Sequence, residues 1–103
     1  MFGLKENDIN TIVEVLQKYP EVTQAVVFGS RAKGNYKNGS DVDIAVKGAK
    51  ATLYIAETIS GILNEDTQIP YRFDVLSYND LCNQDLKDHI DRVGVVFYQT
   101  KIS

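Results

Sequence analysis

Residues 22–47 decide the fold, and they read VTQAVVFGSRAKGNYKNGSDVDIAVK. An apolar, β-branched run over residues 22–28 stops at a Gly-Ser pair, as a buried strand does when it enters a tight turn. Residues 41–47 alternate between apolar and other side chains, which is the period of a second strand. The intervening polar segment, residues 31–40, contains four glycine and asparagine residues, which predicts a short helical turn and an open loop.

The flanking segments predict helices and further strands. Upstream, an apolar stripe at helical spacing predicts a helix that ends before Pro20. Downstream, residues 49–63 predict a second helix, residues 71–76 a third strand, and the segment up to Gly94 a last helix. Residues 95–98 form a short apolar run that suits an edge strand. We therefore expect an α/β fold in which helices pack on one sheet.

Composition narrows the possible functions. The chain has 103 residues, which fits one domain over residues 1–103 without a separate substrate-binding domain. A formal net charge of -3 and the lack of a Lys/Arg cluster argue against stable nucleic-acid binding, whereas a free nucleotide is compatible with both. The single cysteine, Cys82, excludes an internal disulfide. No signal or transmembrane segment is apparent, so we expect a cytoplasmic protein that does not bind membranes.

Gly29 and Ser30 form a candidate phosphate cradle. Gly29 has no Cβ to keep a phosphate away from the backbone, and Ser30 offers a hydroxyl and an amide at the start of a helical turn. Arg31 and Lys33 flank this cradle, where they could neutralise phosphate charge or lie solvated on a loop. An isolated Gly-Ser pair is more typical of a turn with a serine cap, so its meaning depends on its neighbours.

Three aspartates are candidate metal ligands. Asp41 and Asp43 occupy alternate strand positions, so their carboxylates face the same side, with Cβ atoms about 6 to 7 Å apart. The alternative to metal binding is that Asp41 belongs to a turn and Asp43 is a solvated strand residue. Asp74 lies in an apolar run, where a carboxylate is costly unless it binds a metal or pairs with a group such as Arg72. If the third strand lies beside the second, the three carboxylates converge.

This combination is typical of a nucleotidyl-transfer site. Two divalent metals held by shared carboxylates can clamp an attacking hydroxyl and the α-phosphate, while the Gly-Ser cradle holds the phosphates that leave as pyrophosphate. Mg²⁺ suits such a site because it prefers oxygen ligands. Asp74 could also accept the proton of the nucleophile, provided that it lies within hydrogen-bond reach.

The pattern of residues 28–34, residues 40–46 and Asp74 resembles the minimal nucleotidyltransferases of the DNA polymerase beta superfamily. The resemblance covers nearly the whole chain and implies the α/β nucleotidyltransferase fold, in which helices pack on a small mixed sheet. Larger relatives carry a helical domain that binds the acceptor, whereas minimal members are typically paired with a separate helical HEPN protein. The resemblance therefore implies a HEPN-type partner encoded nearby.

The resemblance also implies roles for the site residues. Asp41 and Asp43 would ligate both Mg²⁺ ions, Asp74 would ligate the catalytic one, and Gly29 and Ser30 would contact the triphosphate of ATP. In this interpretation the chain is an antitoxin that transfers AMP to a tyrosine of a HEPN ribonuclease and silences it. Two alternatives stay open, a module that masks its partner without chemistry and a catalytic subunit that nucleotidylates a small molecule.

Overall fold

The computed structural model of the chain describes residues 2–34 and 39–100. The elements in chain order are α1 (Glu6–Gln17), β1 (Gln24–Phe28), α2 (Ser30–Lys33), β2 (Val42–Lys47), α3 (Leu53–Glu65), β3 (Phe73–Ser77), α4 (Gln84–Val93) and β4 (Val95–Gln99). The predicted open loop after α2 falls largely on residues 35–38, outside the described residues. No helix within the described ranges is long and apolar enough to span a bilayer.

The four strands form one mixed sheet in the order β3-β2-β1-β4. β1 is antiparallel to both β2 and β4, whereas β2 and β3 are parallel. The α/β fold with a small mixed sheet is therefore as predicted. Several boundaries differ from the predicted ones. Asp41 immediately precedes β2, whereas β1 and β3 each begin two residues later, and α3 begins at Leu53 instead of residue 49. The hydrogen-bond ladder between β2 and β3 begins with the Val42 amide, which donates to the Arg72 carbonyl at 2.8 Å.

One face of the sheet packs against α1 and α3 and forms the larger core. Alternate residues of β1, β2 and β3 point into this core, as the strand period requires. The strand residues of this core are Ala25, Val27, Val42, Ile44, Val46, Phe73 and Val75. Burial of this apolar surface is the main favourable contribution to folding.

The opposite face of the sheet is only partly covered. Val26, Phe28 and Ala45 pack there against Ile90 of α4. The Phe28 ring meets the His89 imidazole edge to face, with centroids 6.4 Å apart. Where β1 ends and β2 and β3 begin, this second face bears polar groups in place of apolar ones, and the candidate site lies at this end.

Candidate active site

Asp43 and Asp74 are partners in the parallel ladder between β2 and β3. Neighbouring strands lie about 4.8 Å apart, and paired residues of a ladder point to the same face. The two carboxylates therefore share the partly covered face of the sheet, with Asp43 half-buried and Asp74 exposed. Within the described residues Asp74 forms no ion pair with Arg72, the alternative partner that the sequence offered.

Asp41 completes an acidic cluster with this pair. It lies one residue before β2 and is exposed. Burial raises the pKa of Asp43 above its ordinary value, and the carboxylates of Asp74 and Asp41 raise that pKa further. Both neighbours therefore lie close enough to Asp43 for their charges to repel it, and a cation among the three would relieve that repulsion.

Gly29 lies against Asp43 from the other side. The antiparallel ladder pairs Phe28 with Asp43, which brings the residue after β1 to the carboxylate. Gly29 has φ +75° and ψ -152°, a conformation that is essentially limited to glycine. A Cβ on Gly29 would also lie 2.5 Å from Asp43 Oδ2. Glycine at this position therefore lets the Asp43 carboxylate lie against the backbone of the turn that the sequence assigned to a phosphate.

Ser30 and Lys33 belong to the short helix α2 that follows this glycine. Ser30 is the first residue of α2 and is half-buried, and Lys33 is the last and is exposed. The Lys33 amide donates to the Gly29 carbonyl at 3.2 Å, so the turn holds Ser30 and Lys33 next to Gly29. The structure thus keeps Gly29, Ser30 and Lys33 in one compact turn at the end of β1.

Arg31 differs from its predicted placement. Its side chain is inside the fold, with 3% of the residue exposed. Nε and Nη2 donate to the Ser40 carbonyl at 3.1 and 2.7 Å, and Nη1 donates to the Phe2 carbonyl at 2.7 Å. Its Cζ lies 4.4 Å from the centroid of the Tyr71 ring. The guanidinium is thus committed to these contacts inside the fold, and a direct contact of Arg31 with phosphate stays a prediction.

The acidic cluster suits a hard divalent cation. Carboxylate oxygens are the ligands that Mg²⁺ prefers, and a cation would relieve the part of the raised Asp43 pKa that, after burial, comes from the neighbouring carboxylates. Within residues 2–34 and 39–100, no three His, Cys, Asp or Glu side chains stand ready as a metal site. The backbone nevertheless places Asp43 and Asp74 side by side on neighbouring strands.

Asn64 supports this site without belonging to it. Its Oδ1 accepts from the Phe73 amide at 2.7 Å, and its Nδ2 donates to the Phe73 carbonyl at 3.0 Å. Phe73 directly precedes Asp74 on the edge strand β3, so the Asn64 amide takes the place of a neighbouring strand there. Sequence reasoning missed this contact, because no local pattern links residues nine positions apart across a loop.

Comparison with known proteins agrees with this geometry. The family model described as "Polymerase beta, Nucleotidyltransferase" matches residues 10–103. The chain is 35% identical over 96 residues to the protein adenylyltransferase MntA of Aphanizomenon flos-aquae (strain 2012/KM1/D3), covering 84% of this chain and 63% of that protein. It is 25% identical over 96 residues to the probable protein adenylyltransferase MntA of Haemophilus influenzae (strain ATCC 51907 / DSM 11121 / KW20 / Rd), covering 93% and 83%. The chain thus spans less than two thirds of the first of these relatives.

Solved structures share the fold. The chain is similar to one in the crystal structure of a toxin-antitoxin with AMP-PNP, with a TM-score of 0.73 and 23% identity over 95% of this chain and 76% of that chain. It is also similar to a chain in the structure of a tri-AMPylated Shewanella oneidensis HEPN toxin in complex with MNT antitoxin. In that comparison the TM-score is 0.71 and the identity 20%, over 94% of this chain and 74% of that chain.

Proposed function

Because the chain belongs to the polymerase beta nucleotidyltransferase family, we propose that it transfers AMP from ATP to a tyrosine of a HEPN ribonuclease, as the antitoxin of a toxin-antitoxin pair. The observation that carries this proposal is the pairing of Asp43 with Asp74 across β2 and β3, with Gly29 against Asp43. Similar proteins support the acceptor class, since two are named adenylyltransferases and one structural neighbour contains a tri-AMPylated HEPN toxin.

In this proposal the acidic cluster would hold two Mg²⁺ ions, with Asp41 and Asp43 as ligands of both and Asp74 as a ligand of the catalytic one. When bound, Mg²⁺ polarises the α-phosphate and favours the ionised form of the attacking hydroxyl. The half-buried position of Asp43 between its two neighbours makes it the central ligand of the set.

The turn after β1 receives the triphosphate. Gly29, which has no Cβ, brings the backbone of the turn against Asp43, and Ser30 supplies a hydroxyl and an amide for the phosphate oxygens. Lys33 is exposed at the end of the same turn, where its ammonium neutralises phosphate charge. Cradle and carboxylates are thereby close enough for one nucleotide to contact both.

The transfer exchanges one phosphorus-oxygen bond for another. The tyrosine oxygen bonds to the α-phosphorus, the bond from that phosphorus to the bridging oxygen breaks, and pyrophosphate leaves. Asp74 takes the phenolic proton. Asp74 is exposed and lies on the edge strand β3, so a large protein acceptor can approach it. We place the reaction in the cytoplasm, where ATP is available and an exposed thiol such as Cys82 stays reduced.

An in vitro reaction tests this proposal. The purified chain is incubated with Mg²⁺ and the HEPN protein encoded beside it, with ATP, GTP, CTP and UTP offered in separate reactions, and the modified peptide is mapped by mass spectrometry. We expect adenylate on a tyrosine with ATP, and none when Asp43→Asn replaces the wild type. Transfer of another nucleotide, or modification of a different residue type, would contradict the proposed substrate or acceptor.

The two alternatives give different results in the same reaction. A partner that stays unmodified but binds the chain and loses its ribonuclease activity would identify masking by contact. A partner that neither binds nor becomes modified would direct the search to small-molecule acceptors. Asp43→Asn separates these outcomes further, because masking alone does not need this carboxylate.

A further inference from the structure

The guanidinium of Arg31 connects three segments that carry the candidate site. Arg31 directly follows the cradle residue Ser30 in α2. Two of its nitrogens donate to the carbonyl of Ser40, the residue before Asp41. Its Cζ lies 4.4 Å from the centroid of Tyr71, two residues before the strand of Asp74 begins. The Arg31 side chain therefore contacts the residue before Asp41 and a residue shortly before Asp74, and Arg31 itself follows the cradle.

The shape of the guanidinium is what makes these contacts possible together. Its planar fork directs Nε and Nη2 to one carbonyl oxygen, while Nη1 reaches the Phe2 carbonyl and the flat face stacks on Tyr71. The residue is 3% exposed, so these contacts are made with little competition from water. A lysine ammonium is a compact point charge and cannot replace the fork and the stacked plane at once.

Asp41 depends on this arrangement more than Asp43 does. Asp43 lies within β2 and is held by ladders on both sides. Asp41 precedes the strand, and the first ladder bond on its C-terminal side is made by the Val42 amide. On its N-terminal side the backbone is fixed by the two hydrogen bonds that Arg31 donates to the Ser40 carbonyl.

We propose that Arg31 is a positioning residue that places Asp41 for metal binding, and that it acts through Ser40 without touching the nucleotide. This inference rests on the proposed function, because it takes the acidic cluster as the metal site. Residues that orient metal ligands without binding the metal typically change metal affinity by about 10- to 100-fold when they are mutated. Arg31 acts by the same means, through the backbone of the ligand's neighbour.

Metal binding by the free protein tests the inference without requiring turnover. Mn²⁺ is titrated into wild type, Arg31→Lys and Arg31→Met, and the free ion is measured by electron paramagnetic resonance. We expect both variants to bind Mn²⁺ about tenfold more weakly or worse, and amide exchange to quicken around residues 39–43. Lys18→Met is the matched control, because it removes an exposed positive charge at the end of α1. It should bind Mn²⁺ like the wild type.

A role in stability alone would lower the melting temperature and leave Mn²⁺ affinity unchanged in the folded variants, and that result would overturn the inference. A wild type that binds no Mn²⁺ would overturn it as well. If Arg31→Met does not fold, Arg31→Lys and Tyr71→Leu, which removes only the stacked ring, take its place. Weakened Mn²⁺ binding in a chain that leaves its partner unmodified would refute the proposed function while supporting the role of Arg31.

Discussion

Asp43 and Asp74 lie side by side on two parallel strands, with no cationic side chain paired to Asp74 in the described residues. Like charges that face each other across a sheet destabilise it. Burial raises the pKa of Asp43 most, and the carboxylates of Asp74 and Asp41 raise this pKa further, so part of the shift reflects that cost. Such a cost is typical of functional sites, where geometry for a ligand is kept at the expense of stability.

Replacing this central carboxylate should therefore stabilise the metal-free protein. Between the ordinary pKa of 3.8 and the raised value in the folded state, the folded chain binds more protons at Asp43 than the unfolded chain does. Stability contributed by this group therefore falls as the pH rises through that window, and the cost is complete above it. We expect Asp43→Asn to raise the melting temperature by a few degrees at neutral pH.

The pH dependence provides the control for this first prediction. Below the ordinary pKa of Asp43 the wild type carries a neutral group there too, so the difference between wild type and Asp43→Asn should disappear. Asp66→Asn, at an exposed position after α3, should change the melting temperature little at any pH. Lower stability of Asp43→Asn at neutral pH would show that the carboxylate is not strained by its neighbours.

Gly29→Ala should disrupt both stability and the site. The alanine would have to adopt φ +75°, and its Cβ would displace Asp43 Oδ2. We therefore expect a loss of roughly 2 to 4 kcal/mol in the free energy of unfolding. Gly34→Ala is the matched control. Gly34 has φ +80° but open space around its missing Cβ, so only the left-handed strain of about 1 to 2 kcal/mol applies. Equal losses in urea titrations of the two variants would argue against the contact with Asp43.

Asp74→Asn should abolish most of the activity and leave the fold intact. The residue is exposed, so its replacement opens no cavity, whereas loss of a proton acceptor typically slows a reaction by about 100-fold or more. The measurement is the initial rate of pyrophosphate release with the partner protein present. Arg72→Ala is the control, since Arg72 does not pair with Asp74 and its carbonyl, which accepts from Val42, is retained. Comparable rates for wild type and Asp74→Asn would exclude a role in catalysis.

Asn64→Ala should loosen the edge strand that bears Asp74. It removes both hydrogen bonds to the Phe73 backbone, which predicts a loss of about 1 to 2 kcal/mol in the free energy of unfolding. Gln68→Ala, at an exposed position beyond the same helix, should cost less than about 0.5 kcal/mol. Hydrogen exchange of the Phe73 amide reports on the contact directly, and unchanged protection in Asn64→Ala would contradict it.

The sequence alone was sufficient for the sheet and its order of elements. The apolar run before Gly29 and the alternation after Asp41 are short-range patterns, and strand periodicity carries over directly into structure. That the sheet is mixed followed from the resemblance to polymerase beta nucleotidyltransferases. The placement of Asp74 needed one further condition, that β3 pairs with β2, and the parallel ladder meets it.

Two side chains could not be assigned from sequence because their partners are distant in the chain. Arg31 is next to the cradle in sequence, yet its guanidinium turns to carbonyls of Phe2 and Ser40. Proximity along the chain therefore suggested a phosphate ligand where the fold uses the charge internally. Asn64 lies in the last turn of α3, and only the folded structure reveals its contact with the edge strand.

The most direct test of the central claim is the intact mass of the HEPN protein encoded beside this chain, purified after co-expression with wild type or with Asp43→Asn. The account predicts that the partner gains the mass of one or more adenylate groups with the wild type and keeps its unmodified mass with Asp43→Asn. A partner that is unmodified in both, or that is modified equally in both, would contradict the claim that the Asp43 site transfers AMP.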